Sequence, residues 1–372
     1  MDLTWTPEQL DLHDSLRSKG AAAADWQALA DLHVMALPVP REHGGLGHSA
    51  LSCALALDGL GHGCRDIGLL IAAGAHMWAV ALPLMKFGSP EQRRAYLPGL
   101  ASGRLVGAHA ITETEAGSDA LALRTVARRE EGGYVLTGRK RFVTNAPDAD
   151  VFLVYATLDS RLGFTGVTAF LVERGQPGVR VEDEQRKMGL DSCHWGQVVL
   201  NECVVPDRMR LGVEKQGSAI FSTVMAWERT LLLAPLLGAM ERQLEECVDR
   251  ARTRRQFGRR IGSFQSVANR IVDMRLRLET SRALLRSAAW ELDHGPSDGG
   301  RRSSSPLPEL VKLQVSEAAV ATFEAAMQIF GGHGYTEEAG IEERLRDALG
   351  TRISSGTSDM QRDVVAAKLG VR

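Results

Sequence analysis

GYVLTGRKRFVTN, residues 133–145, decides how the chain divides. Its Val, Thr, Tyr and Phe, set between glycines and closed by Asn145, suit a pleated strand and not a helix. Three later stretches share that character: DVFLVYATL (150–158), GVTAFLVER (166–174) and WGQVVLNECVVP (195–206). Short β-rich runs separated by Gly, Pro, Asn and Asp predict antiparallel strands of a sandwich or barrel, over residues 109–212.

On either side the period is helical. Thr6-Pro7-Glu8-Gln9 and Ser89-Pro90-Glu91-Gln92 are two capping boxes with proline at the first helical position, so each starts a helix. Between them, REHGGLGHSA (41–50) is a glycine-rich turn, and LSCALALDGL (51–60) and MWAVALPLMKFG (77–88) are apolar enough for buried helices. Residues 1–108 therefore form an α-helical N-terminal domain. Beyond the strands, four helical runs at 218–257, 264–292, 308–330 and 358–370 predict an antiparallel four-helix bundle over 213–372. DHGPSDGGRRSSSPLP (293–308) reads as an exposed loop between two of them. The fold class is α+β, multidomain.

At 372 residues, 44% hydrophobic and 24% charged, the chain has the make-up of a globular protein. A net charge of −2 supplies no basic field for nucleic acid, and no basic run marks an anionic membrane. The acidic start MDLTWTPEQLDLHDSLR does not suit a signal peptide, and no apolar run is expected to reach the roughly 20 residues of a membrane span. The expected location is the cytoplasm, and the expected ligand a small molecule. Five scattered cysteines without a C-x-x-C pair indicate reduced thiols, with neither a disulfide framework nor a metal site.

Several motifs admit two readings alone. HAITETEAGSDA (109–120) is a polar turn or a ligand-binding entry to the β domain, and GRKRFVTNA (138–146) is a strand with Phe142 either in the core or at a site. RTRRQFGRRIGSFQ (252–265) holds five arginines around Phe257 and Gly258, a solvated helix end or a pyrophosphate clamp. QIFGGHGYTEE (328–338) brings glycines without the G-x-G-x-x-G spacing of a Rossmann site, and no P-loop or H-E-x-x-H is present.

Taken in order and at these spacings, ITETEAGSD, GRKRFVTN, RTRRQFGRRIGSFQ, QIFGGHGY and GTSDMQR resemble the acyl-CoA dehydrogenase family over essentially the whole chain. The resemblance implies a helical domain, a middle β domain and a C-terminal four-helix bundle. FAD would lie between the last two and be shared across the subunit interface of a homodimer or homotetramer. It places Ile111, Thr112, Gly117 and Ser118 beside the isoalloxazine and thioester, and Phe142 and Thr144 along the other flavin edge. Arg254, Phe257, Gln328 and Gly332 would meet a neighbour's FAD, with Thr357 and Asp359 near the adenosine and pyrophosphate. Thr114, Phe142 and Asp359 stand where the family more often has proline, tryptophan and glutamate or glutamine.

Removing an α-proton while a β-hydride leaves calls for a carboxylate in a dry pocket, where desolvation raises its pKa. Many family members carry that glutamate immediately before Gly-Thr-Ser; here Ser355 stands there, and a serine without a partner base is too weak. A branch including isovaleryl-type enzymes carries the glutamate on the first bundle helix, and AWERTLLLAPLLG (226–238) matches it at Glu228. The resemblance then assigns Glu228 as base, with Ser118, Arg229 and Ser355 at the substrate and the Ser355 backbone N–H on the thioester carbonyl. The implied activity is Cα–Cβ desaturation of an acyl-CoA or acyl-carrier-protein thioester. Electrons would pass to an electron-transfer flavoprotein or oxygen. The alternatives are an oxidase or monooxygenase on the same scaffold, or a non-catalytic acyl-binding protein.

Overall fold

The structure, a computed structural model, describes residues 4–182, 186–295 and 305–371. Six helices come first: α1 (Pro7–Lys19), α2 (Trp26–Asp31), α3 (Ala50–Gly63), α4 (Ile67–His76), α5 (Leu82–Phe87) and α6 (Pro90–Ala101). Both capping boxes form, Thr6 accepting from Gln9 N and Ser89 from Gln92 N, each with the reciprocal glutamine bond. A π turn, Met77–Ala81, fuses α4 and α5 into one apolar run. This corrects the expectation of no span-length stretch: Ile67–Phe87 has 21 residues and mean hydropathy 1.8. It is 94% buried within the protein, so its greasiness serves the core of the fold.

The middle region contains β1 (Gly107–Ala110), β2 (Val126–Glu130), β3 (Gly133–Thr144), β4 (Val151–Thr157), β5 (Val167–Glu173), β6 (Val179–Glu182), β7 (Trp195–Pro206) and β8 (Arg210–Leu211). They make one sheet in the order β6-β7-β3-β2-β4-β5-β8, with β1 on β4. Most pairs are antiparallel, as expected, but β1 and β2 each meet β4 in parallel. Every residue of β4 is buried, which explains its unbroken hydrophobic run. β2 is too short and charged to stand out in sequence.

The last region holds α7 (Gly217–Leu231), α8 (Ala234–Thr253), the ribbon β9 (Arg255–Gln256) and β10 (Arg259–Arg260), α9 (Gln265–His294), α10 (Leu307–Phe330), α11 (Ile341–Thr351) and α12 (Ser358–Lys368). The single long helix expected from residue 218 breaks at Leu232–Leu233, because Pro235 has no N–H to continue the ladder. α11 was absent from the sequence reading. Its buried stripe includes Arg344 and Asp347, which disguise the apolar period. Arg344 pays its burial with bonds to Gln243 (2.5 Å) and Glu246 (2.7 Å), and Asp347 accepts from Leu190 N at 2.5 Å. The loop expected at 293–308 is shorter at both ends: Asp293 closes α9 and caps α3 by accepting from Ala50 N (2.7 Å) and Leu51 N (2.9 Å). Leu307 and Pro308 already belong to α10, and residues 296–304 lie outside the described residues.

Helices of the first and last regions share one core. α3 and α8 cross almost backbone to backbone, since a Cβ on Gly61 would lie 1.8 Å from Pro235 O and one on Gly238 would lie 2.0 Å from Asp58 O. Beside this crossing, Arg282 of α9 binds Asp58 through two contacts of 2.8 Å and Glu241 at 2.9 Å, and Arg17 reaches Glu241 at 2.7 Å.

Candidate active site

Glu228 lies in the last turn of α7, next to Trp227 and the apolar residues Leu231, Leu232 and Leu233. Only 8% of it is exposed, and burial pushes its carboxyl above the usual range, opposed by the Ser355 hydrogen bond and the Arg229 charge. Its Oε2 is buried without a partner. Its Oε1 accepts from the Ser355 hydroxyl at 2.5 Å. Beyond the backbone role expected of Ser355, its side chain thus bonds the Glu228 carboxylate.

Ser355 is held in place by its carbonyl. Arg229 Nε donates to it at 3.1 Å and Gln361 Nε2 at 3.0 Å, while Arg229 Nη1 also meets Glu309 at 2.8 Å. Lys368 binds the other Glu309 oxygen at 2.7 Å. Ser355 (φ 54°) and Gly356 (φ 92°) are both left-handed, which turns the chain so that Thr357 can cap α12 by accepting from Met360 N. Arg229, Ser355 and Glu228 thus stand together. Arg229 touches Ser355 through its backbone carbonyl and acts as a clamp on this turn.

A second group of the expected residues lies on the sheet. Arg141 N donates to Thr112 O at 2.8 Å, which sets the chain after β1, with buried Ile111, against β3. A bulge between Lys140 and Val143 puts Phe142 at φ 55° and turns its ring outward, 45% exposed. The ring meets Trp195 edge-on at 5.7 Å and lies under the Arg141 guanidinium at 4.8 Å. Thr144 pairs with Trp195 across β3 and β7. Gly117 and Ser118 are exposed, with open space where a Gly117 Cβ would point.

What the sequence reading missed is the anchor of this group. Glu113 binds Lys140 Nζ at 2.7 Å and takes further bonds from Thr125 Oγ1 (2.5 Å), Thr125 N (3.0 Å) and Arg124 N (2.7 Å). Both side chains are buried, so the polar-looking segment 109–120 is tied into the interior. The available signal was a lysine at an inward position of an alternating strand.

Arg254 follows α8, and Phe257 (φ 50°, 91% exposed) forms with Gly258 the tip of the β9–β10 ribbon. Gln328 and Gly332 are exposed around the end of α10. Thr357 and Asp359 sit at the start of α12, Asp359 exposed beside Arg362 at 3.1 Å. The structure therefore gathers Glu228, Arg229 and Ser355 at one point and Ile111, Thr112, Phe142 and Thr144 along one edge. The arginine ribbon and the end of α10 are exposed, and the last turn of α8 leading into the ribbon meets the end of α10 where Arg250 lies over the Phe330 ring at 5.2 Å. Among the described residues no His, Cys, Asp and Glu cluster suits a metal, and all five cysteines are free and buried.

The two groups meet through α7, where Phe221 stacks on His109 of β1 at 6.3 Å, two turns before Glu228. The site therefore combines a dry carboxylate on a bundle helix with a neighbouring sheet that carries exposed backbone and an exposed aromatic ring. The acyl-CoA dehydrogenase N-terminal, middle and C-terminal domain models match residues 7–104, 108–203 and 215–370. The chain is 46% identical over 363 residues to an L-prolyl-(peptidyl-carrier protein) dehydrogenase of Pseudomonas fluorescens, covering 97% of this chain and 94% of that one. The solved structure of PigA with FAD and proline superposes with a TM-score of 0.95 at 38% identity, covering both chains fully. That of the prolyl acyl carrier protein oxidase AnaB gives 0.95 at 37%, over 99% of this chain and 100% of the other. The chain belongs to the acyl-CoA dehydrogenase family, whose cofactor is FAD.

Proposed function

We propose that the protein desaturates the Cα–Cβ bond of an acyl group held as a thioester on a carrier protein, and that this group is prolyl. The observation that carries the reading is Glu228, a buried carboxylate with one oxygen oriented by Ser355 and the other unpartnered. The likeness to a prolyl carrier-protein dehydrogenase over 97% of the chain supports the substrate.

The residues present suit FAD. Phe142 offers an exposed ring edge, Gly117 an approach to the backbone, and Arg254 a guanidinium for a pyrophosphate. FAD, when bound, supplies the hydride acceptor. Glu228 takes the α-proton on its unpartnered Oε2, and Arg229 and Gln361 hold the Ser355 turn so that its N–H can face the thioester carbonyl, whose charge grows as the proton leaves. Ile111, Thr112, Ser118 and Thr144 line the flavin edge and thioester entry. Arg254, Phe257, Gln328 and Gly332 serve the FAD of a neighbouring subunit, with Thr357 and Asp359 near its adenosine side. That makes the protein a homodimer or homotetramer. A ring 91% exposed at Phe257 supports such a contact. We place the enzyme in the cytoplasm, in keeping with its five free thiols.

A second reading concerns the acceptor: the likeness to a prolyl carrier-protein oxidase favours oxygen where an electron-transfer flavoprotein would otherwise serve. Anaerobic flavin bleaching with prolyl-carrier, other acyl-carrier and acyl-CoA thioesters tests the main reading. Bleaching by the prolyl thioester should be fastest and should slow by roughly 10²–10⁴-fold in Glu228→Gln with flavin content unchanged. Equal rates in that variant would refute the assignment. Re-oxidation by air against a flavoprotein acceptor separates the two acceptors.

A further inference from the structure

Two polar atoms packed against α7, the helix that carries Glu228, have no partner. His109 of β1 and Tyr155 of β4 project from the same face of the sheet, since His109 pairs with Leu153 and Tyr155 is two residues further on. Their rings meet edge to face at 5.3 Å, and Phe221 of α7 packs on both, at 6.3 and 6.1 Å. Phe221 and Glu228 are seven residues apart on α7, hence on one face, which turns Glu228 toward this cluster. Tyr155 is completely buried, and its phenol is pushed up by burial and then by the Glu228 charge. His109 is held neutral, its pKa brought down to about 3 by burial and by Lys140. Yet Tyr155 Oη, His109 Nε2 and Glu228 Oε2 are all buried without a hydrogen-bond partner.

Buried polar groups are nearly always bonded, so the unpartnered His109 Nε2 and Tyr155 Oη, whose rings pack together, call for a ligand that brings its own polar group. A plain alkyl chain would leave both unsatisfied. In a prolyl group the ring nitrogen is one bond from the α-carbon, so a carboxylate placed to take the α-proton has that nitrogen next to it. A neutral imidazole accepts a hydrogen bond from N–H, and a phenol both donates and accepts.

We propose that His109 and Tyr155 are specificity-determining residues that hold the ring nitrogen of the acyl group, selecting cyclic secondary-amine acyl thioesters over carbocyclic and alkyl ones. This rests on the reading of Glu228 as the base and extends it to the substrate's nitrogen. Tyr155→Phe removes only an unpartnered hydroxyl, so a purely structural role predicts no change in any rate.

The test compares L-prolyl-S-pantetheine with cyclopentanecarbonyl-S-pantetheine, which has the same shape without the nitrogen, in anaerobic flavin reduction by wild type, Tyr155→Phe and His109→Leu. Wild type should prefer the prolyl thioester. Each variant should lose roughly 10–100-fold in reduction rate over dissociation constant on the prolyl thioester and less than about threefold on the carbocycle. Flavin content and melting temperature should be unchanged in Tyr155→Phe. Preference kept in both variants, or both thioesters slowed alike, would overturn the inference while leaving the base assignment standing. If His109→Leu does not fold, Tyr155→Phe alone decides. Wild-type flavin reduced by the carbocycle and not by the prolyl thioester would instead overturn the proposed substrate, and this inference with it.

Discussion

Replacing Ser355 with Ala removes the one hydroxyl that donates to the Glu228 carboxylate. A hydrogen bond to a charged group contributes about 1.5–3 kcal/mol. Because Ser355 favours the ionised form, its loss raises the proton affinity of Glu228 by about 10- to 100-fold, at 1.36 kcal/mol per factor of ten. The sign follows from the reaction: the base must be ionised to accept a proton, burial already pushes its pKa up, and the serine opposes that push. Removing the opposition moves the rising limb of the rate profile to higher pH. Stopped-flow flavin reduction under anaerobic conditions, followed across pH, should show the variant slower by about 10–100-fold below the limb and near wild type above it. A limb that stays in place, or a loss equal at every pH, would refute the reasoning. Since the two side chains touch, the exchange Glu228→Gln with Ser355→Glu should restore part of the rate lost in Glu228→Gln alone.

Other expectations are structural. Arg282→Leu leaves Asp58 buried and Glu241 short of a partner at the junction of α3, α8 and α9, so it should cost about 3–5 kcal/mol in chemical denaturation. Burial alone would raise Glu241, but Arg282 and Arg17 outweigh it and bring its pKa down to about 2. Its folded value is thus depressed: its contribution to stability is present above its ordinary pKa and is lost as pH falls from there toward about 2, a trend that Glu241→Gln should flatten in pH-dependent melting. Arg254→Ala should release flavin on dialysis, and retention at wild-type affinity would remove that residue from the cofactor site.

Sequence periodicity recovered the elements that read as simple patterns, and the exceptions share a physical cause. The capping boxes at Thr6 and Ser89 were legible because a cap is a local bond between residues three apart. α11 was not, because Arg344 and Asp347 lie on its buried face and are satisfied by Gln243, Glu246 and Leu190, partners 98 to 157 residues away in the chain. The same holds for the site. Glu228 could be placed from its apolar neighbours, whereas the bond it accepts from Ser355 spans 127 residues and exists only because two consecutive left-handed residues swing that hydroxyl inward. Lys140 and Glu113 give the clearest case: the ion pair joins residues 27 apart in the chain, and only the fold shows that it fixes the chain on which Ile111 and Thr112 ride. The burial of Glu228 can therefore be recognised from its local setting, while Ser355, His109 and Tyr155, the groups proposed to tune it and select its substrate, come from other parts of the chain and become visible only when the sheet meets α7. It follows that substitutions at those positions should alter pH response and substrate choice while leaving the fold intact.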